Sequence, residues 1–156
     1  MIPTTTDRVR LHTAADVNEQ IRARTAARIA QVAAAGPGAI EERLRELDAE
    51  WDIERTLEAN ASSVALLGLV LGMSVSRRWY ALPTVVAGFL LQHAVQGWCP
   101  PLPILRRLGF RTETEINHER YALKALRGDF QGVQPSAEAS VEAASRVETA
   151  IDAVRR

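Results

Sequence analysis

Val64-Ala65-Leu66-Leu67-Gly68-Leu69-Val70-Leu71-Gly72-Met73 lies inside a run from Ala59 to Ser76 that carries no charge. Leu66, Leu67, Leu69, Val70 and Leu71 cover every direction of a 3.6-residue turn, and a helix apolar all round is either sealed in a protein interior or immersed in lipid. Arg77-Arg78-Trp79-Tyr80 follows, and then a second uncharged run from Ala81 to Leu105. Its helical part is expected to end near Gly97, because Pro100, Pro101 and Pro103 interrupt it, whereas Pro83 suits a first turn. Two helices of about 17–20 residues meet the lower end of what spans a hydrocarbon core of about 30 Å. The expectation is an all-α chain: a transmembrane helical hairpin of two spans, with amphipathic cytoplasmic helices before and after it.

The rival is a soluble helical regulator whose central helices are merely hidden. Glycines weigh against it. Each costs roughly 1 kcal/mol against alanine in a water-exposed helix, whereas in lipid small residues let helices approach closely. Gly68, Gly72 and Ser76 form such a ladder, with Gly88 on the second helix, and serve either hairpin closure or a homodimer contact. Aromatic residues sit at interfacial depths: Trp79 and Tyr80 at the tip beside Arg77 and Arg78, and Trp98 at the other end. Arg43, Arg45, Arg55, Arg106, Arg107 and Arg111 flank the tail side, so counting arginines places both termini in the cytoplasm.

Outward from the hairpin, the text is Ala- and Arg-rich and favours helix. Residues 1–12 read as a loose leader. Thr13 to Asp16 resembles a capping box before a helix from Ala14 to Ala35, with a thin face of Val17, Ile21, Ile29 and Val32. Ile40, Leu44, Leu47 and Trp51 form one stripe on a helix from Ala39. No Gly or Pro interrupts that helix before Gly68, so it is expected to run unbroken into the apolar segment. Beyond the prolines, Arg106, Arg107 and Arg111 mark a return to water. Thr112-Glu113-Thr114-Glu115 is a second capping box, opening a helix to Arg127 with Ile116, Leu123 and Leu126 on one stripe. Gly132 to Pro135 is a linker. Ser136 to Val154 closes the chain as an amphipathic helix striped by Val141, Ala144, Val147, Ile151 and Val154. The segments are 1–38, leader and weak helix; 39–111, hairpin with its preceding helix; 112–130, cytoplasmic helix; and 131–156, linker and tail.

Nineteen basic residues balance nineteen acidic ones, so no overall field favours nucleic acid. One cysteine excludes an internal disulfide. No signal peptide, phosphate loop, catalytic triad or zinc spacing appears. Gln92, His93 and Gln96 fall in the last turns of the second helix, with Asn60 and Ser63 expected at the same depth. Cross-helix hydrogen bonding is the preferred reading of this intramembrane polar cluster, ahead of a ligand or proton-relay role for His93. His93, Cys99 and His118 lack the compact spacing of a metal site, so neither metal nor cofactor is expected. His12 and His118 read as solvated. Cys99 is the candidate thiol. Packing under the Pro-Pro turn is the preferred reading, and a thiol or persulfide relay the sharper one.

Gly97-Trp98-Cys99-Pro100, closing a membrane helix and followed by Leu105 and Leu108-Gly109, resembles the signature of the YgaP-like transmembrane domain. That family is a bacterial inner-membrane module of two helices with a Gly-x-Cys-Pro close, sometimes fused to a sulfurtransferase domain. The resemblance covers about residues 55–110. It departs at Pro100-Pro101-Leu102-Pro103 and in the long helical tails. It implies a hairpin fold, the bacterial inner membrane and a homodimer as one assembly, and it points to no settled enzymatic activity. The function expected is that of a structural or interaction module, with the bilayer and a second copy or a membrane complex as partners. The alternative is a thiol- or persulfide-handling accessory that uses Cys99.

Overall fold

The computed structural model describes residues 6–133 and 143–155, and every regular element among them is helical. In chain order these are α1 (Arg8–Leu11), α2 (Ala15–Ala35), α3 (Pro37–Ala49), α4 (Ile53–Ser74), a 3-10 turn (Arg77–Tyr80), α5 (Ala81–Gln96), α6 (Leu102–Leu108), α7 (Glu113–Arg127) and α8 (Ala143–Arg155). Two compact units result, each discontinuous in sequence: residues 1–23 with 51–116, and 24–50 with 117–156.

In the first unit α4 and α5 form an antiparallel pair joined by the 3-10 turn. A Cβ on Gly68 would stand 2.6 Å from Pro83 Cδ, and one on Gly72 would stand 2.7 Å from the Tyr80 ring. Both glycines thus hold the arms together near the tip. Ser76 accepts the Arg78 N–H at 3.4 Å and caps the turn, while Gly88 looks onto open space. At the base, Val9, Ile53, Leu57, Cys99 and Leu102 make a buried cluster, with Trp98, Leu105 and Phe110 against it. Trp98 therefore packs on the core at the foot of the hairpin, while Trp79 and Tyr80 at the tip remain exposed.

Among the described residues one helical stretch, within Pro37–Ser74, is long and apolar enough to cross a membrane, and only 22% of its apolar window is buried. At 1.5 Å per residue, the 22 residues of α4 measure about 33 Å and the 16 of α5 about 24 Å.

The expected unbroken helix from Ala39 is interrupted between α3 and α4. Glu50 turns extended, Asp52 accepts the Arg55 N–H at 2.8 Å as an N-cap, and Ile53 donates its N–H to Arg111 O at 2.8 Å. A cap and a tertiary bond replace the i to i−4 ladder there. Trp51 consequently leaves the stripe. Ile40, Leu44 and Leu47 are buried, while Trp51 is exposed under the Arg55 guanidinium, 4.2 Å from the ring centroid.

Within the expected loose leader, residues 1–5 lie outside the described residues, while α1 forms at Arg8–Leu11 and buries Val9 in the base cluster. Gly97 has already closed the second apolar helix, and the prolines after Cys99 open another, α6, because proline fits a first turn. Arg106 and Arg111 do not return to water; both are buried. Thr13 is occupied elsewhere, donating to Val9 O at 2.8 Å, and the first bond of α2 goes to Ala14 O. The box at Thr112 forms: Glu115 N–H meets Thr112 Oγ1 at 3.2 Å, and Thr112 N–H meets Glu115 Oε2 at 2.9 Å.

In the second unit Glu119 is fully buried against Arg43, which donates from Nε at 2.8 Å and also reaches Glu46 at 2.7 Å. Burial works against the Arg43 charge, but Glu119 and Glu46 prevail and hold its pKa above the usual arginine value. Leu123 is buried and Leu126 is exposed. Three residues on, at 100° each, a side chain has moved about 60° off the stripe. On α8 the expected stripe faces outward: Val147, Ile151 and Val154 are exposed and Ala153 is buried. The linker at Pro135, the helix start at Ser136 and Val141 lie outside the described residues, as does the side chain of Ala144.

Candidate functional site

Four residues from three segments meet at the foot of the hairpin. Gly97 closes α5 with φ +81, and its N–H bonds to His93 O at 2.7 Å. A Cβ there would lie 2.6 Å from the Arg8 backbone, so glycine is required both by the conformation and by the seating of α1. That turn reverses the chain and brings Cys99 back beneath the last turn of α5, where the thiol is buried.

His93 points inward from α5 and is only 5% exposed. Its Nε2 stands 2.7 Å from Glu54 Oε2, in the first turn of α4. Arg8 Nη2 donates to the other Glu54 oxygen at 3.1 Å, and its Nη1 donates to Ala94 O at 3.1 Å. A carboxylate can only accept, so Nε2 carries the hydrogen. In the neutral ring Nδ1 then offers a lone pair. That atom is buried and has no hydrogen-bond partner.

His93 and Cys99 also line a cavity of about 340 Å³. The other walls are apolar except for Asn60, with Leu57, Val64, Val86, Phe89, Ile104 and Leu105 among them. Val64, Phe89 and Ile104 are also exposed, so the cavity opens on the apolar flank of the hairpin.

The expected pairing of Asn60 and Ser63 with Gln92, His93 and Gln96 is not seen. Asn60 donates to Thr56 O at 2.8 Å and Ser63 to Ala59 O at 2.8 Å, each back onto its own helix. The register explains this. The four-residue tip sets Tyr80 beside Gly72 and Pro83 beside Gly68, which puts His93 opposite Glu54, about 9 Å below Asn60 along the helix. Gln96 is exposed and Gln92 half-buried. His12 and His118 are exposed, and His12 Nδ1 lies 2.8 Å from Arg8 O. Among the described residues no group of three or more His, Cys, Asp or Glu is placed to hold a metal ion.

No family model, curated protein or solved structure matches this chain.

Sequence reasoning missed Glu54 and Arg8, which complete the His93 site. Glu54 is the last acidic residue but one before the uncharged run, and that position was the available signal. A second polar group in the same unit was missed as well. Arg106 is fully buried and donates to Glu115 twice, at 2.7 and 2.8 Å. It also donates to Asn18 Oδ1 at 2.9 Å, Phe110 O at 3.0 Å and Thr13 Oγ1 at 3.2 Å. All five guanidinium hydrogens are thereby used. Burial opposes ionisation of Glu115, yet Arg106 and the Thr112 N–H hold its carboxyl below the usual carboxylate range.

Proposed function

We propose that this chain is a small integral membrane protein whose α4 and α5 both enter the bilayer, with the helical remainder at the cytoplasmic surface. The observation that carries the reading is the outward face of the arms. Leu66, Leu67, Val70 and Met73 of α4, and Val85 and Leu91 of α5, are each more than half exposed. That contiguous apolar surface is unlike a solvated one, and the helices lack the wrapping a soluble bundle would give them. At about 24 Å α5 is short for a span, and the adjoining Arg77–Tyr80 turn adds the length and the interfacial Trp79 and Tyr80.

On this reading the protein is a YgaP-like module of the bacterial inner membrane with both termini cytoplasmic. It is not an enzyme, and it acts by helix–helix association with a second copy or a membrane complex. Gly88, facing open space on α5, is where such a partner helix would approach. Alkaline carbonate treatment of native membranes tests the core of the proposal. The protein should stay in the pellet, and release to the supernatant would return the soluble regulator to first place. The thiol-handling alternative is favoured by one observation, the shared cavity of Cys99 and His93. A sulfur adduct on Cys99 after exposure to a persulfide donor, which passes on its outer sulfur and departs as a thiol, would promote it when read by intact mass.

A further inference from the structure

We propose that Cys99 is a site of S-acylation, with a long acyl chain lying in the apolar cavity between α4, α5 and α6. Three observations converge on it, and none depends on membrane orientation. The cavity is of ligand size and almost wholly apolar, and it opens among Val64, Phe89 and Ile104. A chain of methylenes entering from the apolar flank would pass a single polar wall residue, Asn60, whose amide is turned back onto Thr56 O, before reaching its far end. At that end stand Cys99 and the bare Nδ1 of His93, a side chain more than nine-tenths buried whose polar atom has no partner. Glu54, anchored by Arg8, holds the opposite ring nitrogen at 2.7 Å and so fixes which nitrogen is the base. Nucleophile, base and positioning carboxylate stand in the order that activates a thiol.

The step is an exchange of thioesters. Nδ1 takes the Cys99 proton as Sγ attacks the carbonyl carbon of a long-chain acyl thioester. The new C–S bond forms, the bond to the leaving thiol breaks, and the proton passes from His93 to the departing sulfur. Nothing is oxidised or reduced. The product carries its chain in the cavity, which excludes water from the new thioester.

The experiment uses the full chain in detergent micelles, palmitoyl-coenzyme A as the donor, and intact mass as the readout. One palmitoyl adduct is expected, removed by neutral hydroxylamine and absent from Cys99→Ser. His93→Gln should label about 100-fold more slowly, the loss of a general base. Glu54→Gln should lower the maximal labelling rate while leaving the half-saturating donor concentration in place, which mere loosening of the fold would not do. Val86→Trp fills the cavity and should abolish labelling. Ala61→Leu fills it from α4 and serves if the tryptophan variant loses its helicity. A thiol placed on the open flank, Leu66→Cys in the Cys99→Ser background, meets the same micelle without a base and should label far more slowly. Absence of any adduct, equal labelling of that control thiol, or undiminished labelling of the filled cavity would overturn the proposal. None of these results bears on the carbonate experiment.

Discussion

The foot of the hairpin and its distal arms are built to opposite rules. At the foot a guanidinium is wholly enclosed: Arg106 is 1% exposed, with every donor satisfied. Some thirty to forty residues earlier, Met73 is 73% exposed and Leu66 63%. Charge lies inside and oil outside, within one unit of the fold. The foot obeys the rule for any protein interior, in which buried charges are paired and hydrogen-bonded. The arms obey it only if their surroundings are apolar too, which is the substance of the proposed membrane location.

Arg106→Met breaks the comparison at its strongest point. It strands Glu115 without its bidentate partner, at a cost of about 3–5 kcal/mol. The check is thermal unfolding in detergent followed by helicity, where a loss of under 1 kcal/mol would mean that the network is decorative. Leu67→Arg probes the other region. In a bilayer a central arginine costs about 2.5–3.5 kcal/mol of insertion, so the membrane fraction should fall while stability in detergent holds. A protein living in water would register the change at about 0.5 kcal/mol or less.

Gly68→Ala sharpens the comparison within the arms. The methyl meets Pro83 Cδ at 2.6 Å, part of a rigid ring, and should loosen the hairpin by roughly 1–3 kcal/mol. Gly88→Ala meets nothing and should be neutral or stabilise by up to about 1 kcal/mol in the isolated chain. Paired unfolding curves decide, and equal effects would remove the argument from close approach.

The smallest expected effect is one of pH. Glu115 has its folded pKa depressed, so the unfolded chain takes up its proton first as the pH falls. Its contribution is complete at neutral pH, above the ordinary carboxylate value, and is lost as pH falls through the folded-state value. The melting temperature of the wild type should therefore drop on acidification, and that of Glu115→Gln should drop less steeply.

What the sequence made legible was local. The capping box at Thr112, the stop at Gly97, the stripe of Ile40, Leu44 and Leu47 and the tip at Arg77 to Tyr80 all lie within a few residues of the contacts that define them. What it hid was long-range. Ile53 abandons its helix for the Arg111 carbonyl, and nothing in the charge-rich text around Asp52 announces a partner nearly sixty residues away. Arginines near an apolar run suggested a wet flank, but Arg106 found Glu115 and went inside. Of the candidate site, His93 and Cys99 could be read as residue types of interest. Their meeting depends on the αL turn at Gly97, and the choice of Glu54 over Asn60 as the partner of His93 depends on a hairpin register that a four-residue tip sets.

The seating of α1 on Gly97 also dictates an order of assembly. Arg8 bonds to the carbonyl of Ala94, 86 residues further on. A ribosome delivers α1 long before it makes the socket that turn fits. Until then Val9 has no cluster to join and Glu54 no guanidinium beside it. α1 thus emerges before the elements that receive it and is latched after them, and the hairpin must already stand before its foot can be closed.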